Sequence, residues 1–139
     1  MPTGAETSTP ELVLRVVMMP KDTNHYQTIF GGVILSYIDQ AGFVQALRHR
    51  HHKWVTAAID RVEFKAPVLI GDVVSFYGHT VREGNTSVTV AIDVRAERHD
   101  TGAVVGVTSA QLVMVCVDHG GTPVPWRSAG VGKQGGNNK

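Results

Sequence analysis

The sequence predicts an α+β domain in which a curved antiparallel sheet of about five strands wraps one long central helix. Three observations carry this expectation. One stretch, from Gly32 to about Arg48, repeats apolar residues at helical spacing. The rest of the chain alternates polar and apolar residues in runs that end at Pro, Gly, Asn or Asp. No Gly-x-Gly-x-x-Gly follows a strand and only one crossover helix is available, which excludes a doubly wound dinucleotide-binding sheet.

Each element has its own signal. From Glu11 to Met19, Leu12, Leu14, Val16 and Met18 alternate with Val13, Arg15 and Val17, and Pro20 stops this first strand. Lys21 to Thr28 reads as a polar loop. In the helix, Val33, Ile34, Tyr37, Ile38, Ala41, Val44, Ala46 and Leu47 recur mostly at helical spacing. Gly42 inside it costs about 1 kcal/mol against alanine, which points to close packing on the sheet or on a partner. Four strands follow. Trp54 to Lys65 runs on to Pro67, and Asp72 to Arg82 ends at Glu83-Gly84-Asn85. Thr86 to Arg98 sets Val88, Val90, Ile92, Val94 and Ala96 against Thr89, Asp93, Arg95 and Glu97, then turns at His99-Asp100-Thr101-Gly102. Ala103 to Val117 is the longest and most apolar, ending at Asp118-His119-Gly120-Gly121. The hairpins joining the last three strands predict an antiparallel meander with one covered face.

A length of 139 residues suits one domain, read as 11–126 with flexible tails at 1–10 and 127–139. Thirteen Lys and Arg against twelve Asp and Glu give a net charge of +1 with no polybasic segment, so neither nucleic acid nor insertion into a membrane is expected. No stretch reaches the roughly 20 apolar residues of a membrane span, and the first ten residues lack the apolar run of a signal peptide, so the expected location is cytoplasmic. The single Cys116 rules out an intrachain disulfide and reads as a buried structural thiol. The seven histidines form no His-x-x-x-His or His-Glu-x-x-His pattern, so no metal is expected.

Asp39 is the residue that most needs explaining, because it sits among Tyr37, Ile38 and Ala41. Either it occupies the solvent face of the helix, or it is a general base or nucleophile at a cleft edge. Gly31 and Gly32 stand where the helix begins. They are either a tight turn or a place where unpartnered backbone N–H groups hold a carbonyl oxygen that is becoming negative. Asn24 in the preceding loop either makes an Asx turn or supplies an amide donor. Gly32 and Asp39 are seven residues apart, about 10 Å along a helix axis. One substrate carbonyl cannot touch both within one helix. A two-fold partner that brings its own helix alongside would place Asp39 of one chain near Gly32 or Asn24 of the other. Arg48-His49-Arg50-His51-His52-Lys53 reads as a solvated flank that complements the helix dipole. Lys65, Arg82, Arg95 and Arg98 lie at strand exits, available to phosphates of a nucleotide-bearing substrate.

Taken together, Met19-Pro20-x-Asp22-Thr23-Asn24, Ile29-Phe30-Gly31-Gly32, Ser36-x-x-Asp39-x-Ala41-Gly42 and Phe64-Lys65-Ala66-Pro67-Val68-x-x-Gly71-Asp72-Val73-Val74 resemble a known family. It is that of the hotdog-fold acyl-coenzyme A thioesterases, in the group of the bacterial broad-range and brain-type acyl-CoA hydrolases. The resemblance spans roughly Leu12 to Trp126. It implies hydrolysis of acyl-CoA to free fatty acid and CoA, with coenzyme A as part of substrate and product and no further cofactor. It also implies a homodimer with a continuous sheet as the minimal active unit, assembled into hexamers (trimers of dimers) or tetramers. The catalytic roles carry over to Asp39 on the helix and to Asn24 from the opposing protomer, and the backbone-amide role to Gly31 and Gly32. Tyr26, Gln27, Phe43, Lys65, Arg82 and Arg98 are the expected substrate contacts. One departure stands out: many relatives have glycine three residues after the asparagine, where this chain has Gln27. That side chain either narrows the substrate entrance or leaves the chemistry untouched. Two other readings remain: a non-enzymatic acyl-CoA-binding module, or another acyl-thioester enzyme such as an enoyl-CoA hydratase, which the absence of a His near Asp39 disfavours.

Overall fold

The computed structural model describes residues 9–127, so the expected tails fall outside the described residues except for Thr9, Pro10 and Arg127. In chain order the elements are β1 (Glu11–Val17), a 3₁₀ turn (Pro20–Asp22), α1 (Gly31–Leu47), β2 (Lys53–Asp60), β3 (Val73–Glu83), β4 (Ser87–Glu97) and β5 (Val104–Val117). The strands form one five-stranded sheet in the order β1-β3-β4-β5-β2, and every adjacent pair is antiparallel. α1 packs across it and contacts all five strands. This is the hotdog architecture.

Alternation explains why the sheet accepts the helix. The inward residues of β4, Val88, Val90, Ile92, Val94 and Ala96, are all fully buried, and Ile34, Ile38, Ala41 and Ala46 of α1 are buried with them. Full burial of each such valine or isoleucine contributes roughly 1.5–3 kcal/mol. Gly42 marks the closest approach. A Cβ there would stand 2.9 Å from Leu112 Cδ2 and 3.5 Å from Met114 Sδ on β5, so the sheet accounts for this glycine. An alanine would have to push Leu112 aside.

Two expectations are corrected. The second strand does not run from Trp54 to Lys65: β2 ends at Asp60, opposite Gln111, and Arg61 turns the chain away with a φ of 39°. Residues beyond it leave the ladder, with the Lys65 amide donating to Val107 O at 2.8 Å. The basic segment after α1 is also more than a solvated flank. Arg48 pairs with Glu11, and Arg50 donates to Pro125 O at 3.0 Å. His49 Nε2 lies 2.7 Å from Thr80 Oγ1, with its ring edge-on to Trp126. Burial among these groups holds the His49 imidazole below its ordinary pKa.

The loop before α1 is built rather than loose. Asp22 is buried; its side chain accepts from the Met19 amide at 3.2 Å, and its carbonyl from the Phe30 amide at 3.0 Å. The Ile29 amide donates to Val68 O at 2.8 Å, tying the loop to the segment before β3. That segment is clamped by Asp72, which accepts from the Leu69 amide at 2.8 Å and pairs with Arg98 at 2.5 Å.

Within this loop Gln27 has a φ of 71°, the left-handed region that costs a residue with a side chain about 1–2 kcal/mol. This gives the departure at Gln27 a physical content: glycine adopts that conformation without strain, and the exposed glutamine endures it. Gln27→Gly is therefore expected to raise stability by about 0.5–1 kcal/mol after allowing for glycine's greater freedom in the unfolded chain. The check is the urea midpoint: it should rise for Gln27→Gly and not for Gln27→Ala, and a fall for Gln27→Gly would contradict the strain.

Candidate functional site

Asp39 lies on the third turn of α1, on the side that faces β2. It is exposed, and Thr56 Oγ1 on β2 donates to its Oδ1 at 2.5 Å. Among the described residues this is its only hydrogen-bond partner, so Oδ2 stays open to a reactant. The carboxylate stands on the wall of a groove of about 480 Å³ lined by Asp39, Gln40, Phe43, Trp54, Val55, Thr56 and Met114. Met114 is buried beneath it, and its Sδ lies 3.4 Å from Thr56 Oγ1. Of the two readings of Asp39, the geometry joins halves of both: a solvent-facing helix residue that also edges an apolar groove. An aspartate so placed can take a proton from water or attack a carbonyl.

The start of α1 has the opposite electrostatic character. Phe30 occupies the N-cap position, and no side chain caps the first turn. The Val33 amide reaches Phe30 O at 3.0 Å, which leaves the Gly31 and Gly32 amides without an acceptor among the described residues. Both glycines are exposed; a Cβ at Gly32 would meet nothing within 4 Å, and one at Gly31 would touch only the Phe64 ring, at 3.4 Å. Two uncapped N–H groups at the positive end of a helix are suited to a developing oxyanion.

Asn24 makes the Asx turn that its loop setting suggested. Its Oδ1 accepts from the Tyr26 amide at 2.8 Å and the Thr28 amide at 3.1 Å, while Nδ2 donates to Thr28 Oγ1 at 2.9 Å. These bonds fix which side of the amide is oxygen and leave the second Nδ2 proton unused among the described residues. The turn also presents Tyr26, which is 73% exposed and stacked against His25 with ring centroids 3.9 Å apart. A structural role and a free donor thus coexist at Asn24.

The remaining sequence candidates separate. Phe43 lies in the groove, one turn beyond Asp39. Lys65 is exposed and follows Phe64, whose ring would meet a Cβ at Gly31. Arg82 is exposed near the end of β3, where Nη2 lies 3.4 Å from Thr89 Oγ1. Arg98 is engaged by the nearly inaccessible Asp72 and also donates to Pro67 O at 3.2 Å. Thr56 was not singled out in the sequence. Its signal was a hydroxyl two residues after Trp54, in phase with the face of β2 that meets the helix.

Comparison with known proteins agrees with this geometry. A model of the thioesterase superfamily matches residues 26–103. The acyl-CoA thioester hydrolase YciA of Salmonella typhimurium is 37% identical over 128 residues, which cover 90% of this chain and 96% of the relative. Among solved structures, HI0827, a hexameric broad specificity acyl-coenzyme A thioesterase, is 34% identical with a TM-score of 0.80, over 85% of this chain and 82% of that one. Cj0915, a hexameric hotdog fold thioesterase of Campylobacter jejuni, is 43% identical with a TM-score of 0.79, over 83% of this chain and 89% of that one. The hotdog sheet, the uncapped glycine start of α1 and these likenesses agree: the chain belongs to the hotdog-fold acyl-CoA thioesterases, in the broad-range group of YciA and HI0827.

Proposed function

We propose that the protein hydrolyses acyl-CoA thioesters to free fatty acid and CoA at sites shared between two copies of the chain. The observation that carries this reading is the Asp39 carboxylate, held through one oxygen by Thr56 and open through the other, on the wall of an apolar groove. In this reading Asp39 removes a proton from the attacking water, or attacks the thioester carbonyl itself to form a short-lived anhydride that water then opens. The CoA sulfur leaves as a thiolate. The Gly31 and Gly32 amides hold the carbonyl oxygen as charge develops on it, and the unused Nδ2 proton of Asn24 positions the water or the carbonyl.

Seven residues of helix separate Gly32 from Asp39, about 10 Å, so the amides and the carboxylate that meet on one carbonyl come from different chains. β2 supports this pairing. It is an edge strand whose exposed residues include Val55, Ala57 and Ile59, a surface suited to continuing the sheet into a second copy. The homodimer is then the minimal active unit, and a hexamer built from such dimers is the assembly proposed, in keeping with the hexameric relatives HI0827 and Cj0915. Lys65, exposed and next to Phe64, is the cation assigned to the CoA phosphates in this reading. Tyr26 and Gln27 stand at the loop tip over which substrate enters.

Purified protein mixed with acyl-CoA and a free-thiol reagent tests the reaction. Wild type is expected to release thiol, and Asp39→Asn to lose at least about 100-fold in kcat, the lower end of what a positioned base supplies. Thr56→Val should lose less and chiefly in kcat, because it frees the carboxylate without removing it. Acyl-CoA binding with no thiol release would favour a binding module instead, and Asp39→Asn within about twofold of wild type would sink the assignment.

A further inference from the structure

We infer that Arg98 is a positioning residue for the reaction: through its ion pair with Asp72 it sets the direction in which Asn24 presents its unused amide proton. The inference rests on the reading of Asn24 as a donor to the attacking water or to the thioester carbonyl. Arg98 follows the last residue of β4, in a turn closed by its own amide on Ala103 O at 2.9 Å and by the Gly102 amide on Arg98 O at 2.8 Å. From that turn Nη1 donates to the Asp72 carboxylate at 2.5 Å and to Pro67 O at 3.2 Å. The next residue, His99, lies against the same segment: a Cβ at Gly71 would stand 2.8 Å from its Nδ1. The turn between β4 and β5 thus grips residues 67–72 at both ends.

The Asn24 loop hangs from those residues. At its entry the Met18 amide donates to Asp72 O at 3.0 Å and the Gly71 amide to Met18 O at 2.9 Å. At its exit the Ile29 amide donates to Val68 O at 2.8 Å, and Thr28 forms a β-bridge with Leu69. Asp72 ties the two together, because the oxygen that Arg98 holds, Oδ2, also accepts from the Leu69 amide at 2.8 Å. Thr28 in turn aims Asn24. Its amide donates to Asn24 Oδ1 at 3.1 Å, its hydroxyl accepts from Nδ2 at 2.9 Å, and its carbonyl accepts from the Asn24 amide at 2.8 Å. The plane of the Asn24 amide, and with it the direction of the second Nδ2 proton, therefore follows Thr28. The side chains of Arg98 and Asp72 are 18% and 1% exposed. A pair so far out of water adds little net stability over neutral groups of the same shape, so fixed geometry is the contribution left to it.

A double-mutant cycle in kcat, by thiol release from acyl-CoA by folded protein, tests this. Arg98→Gln is expected to lower kcat about tenfold or more with KM within about threefold, and Arg98→Lys, which keeps the charge, to lose less. Substitutions at distant residues that share no partner normally add. Here Arg98→Gln should cost less than about threefold in an Asn24→Ala background, where no donor is left to aim, yet its full tenfold in a Thr56→Val background. If Arg98→Gln leaves Asp72 too poorly paired to fold, Asp72→Asn with Arg98→Gln removes both charges and carries the same cycle. A loss as large with Asn24→Ala as without it, or a kcat within about twofold of wild type, would overturn the positioning role and leave hydrolysis intact. Asn24→Ala turning over like wild type would remove Asn24 from the reaction and this role with it. No thiol release by wild type would overturn the hydrolase reading itself, so the failures are told apart.

Discussion

An α-helix advances about 1.5 Å per residue, and that fixed pitch sets the geometry of the proposed site. α1 carries uncapped amides at Gly31 and Gly32 and a carboxylate at Asp39, and it cannot bend to bring them together. In the proposed reaction each end is therefore half of a site. The sheet order β1-β3-β4-β5-β2 leaves β2 on the edge nearest Asp39, so the carboxylate half of the site lies on the margin of the fold instead of deep inside it.

The stability of α1 and the placement of Asp39 share one cause. Gly42 lets the helix settle onto Leu112 and Met114, and that contact sets how far Asp39 stands from β2. At that distance the Thr56 hydroxyl reaches Oδ1, while Met114 lies under the hydroxyl. Core packing and carboxylate orientation are thus coupled through a single turn of helix. The loop carrying Asn24 is held independently, by Asp22, by the bond from Ile29 to Val68 and by its own Asx turn, so the donor half does not depend on the groove half.

Much of this was legible in the sequence because its signals were local. The alternation of Val88, Val90, Ile92, Val94 and Ala96 predicted the buried face of β4 residue by residue, and Gly42 announced a close approach. Asp39, Asn24 and the paired glycines stood out through residue type and position. What could not be read depended on tertiary distance. The bond from Thr56 to Asp39 joins residues 17 apart; the phase of Thr56 with Trp54 marks the face of β2 that it shares, not the carboxylate it meets there. Arg98 has the look of a cation free for phosphate until Asp72, 26 residues away, is seen to hold it. The end of β2 at Asp60 was missed because Arg61 to Lys65 keeps an alternating pattern after the ladder has stopped.

The central claim is that one carbonyl meets Asp39 from one chain and Asn24 from another. Co-expression of Asp39→Ala and Asn24→Ala chains tests it most directly, because a mixed dimer then contains one site with both native residues and one with neither. Random mixing is predicted to restore roughly a quarter of wild-type turnover, above the average of the two variants assayed separately. Turnover no higher than that average, in mixed assemblies verified to contain both chains, would contradict a shared site.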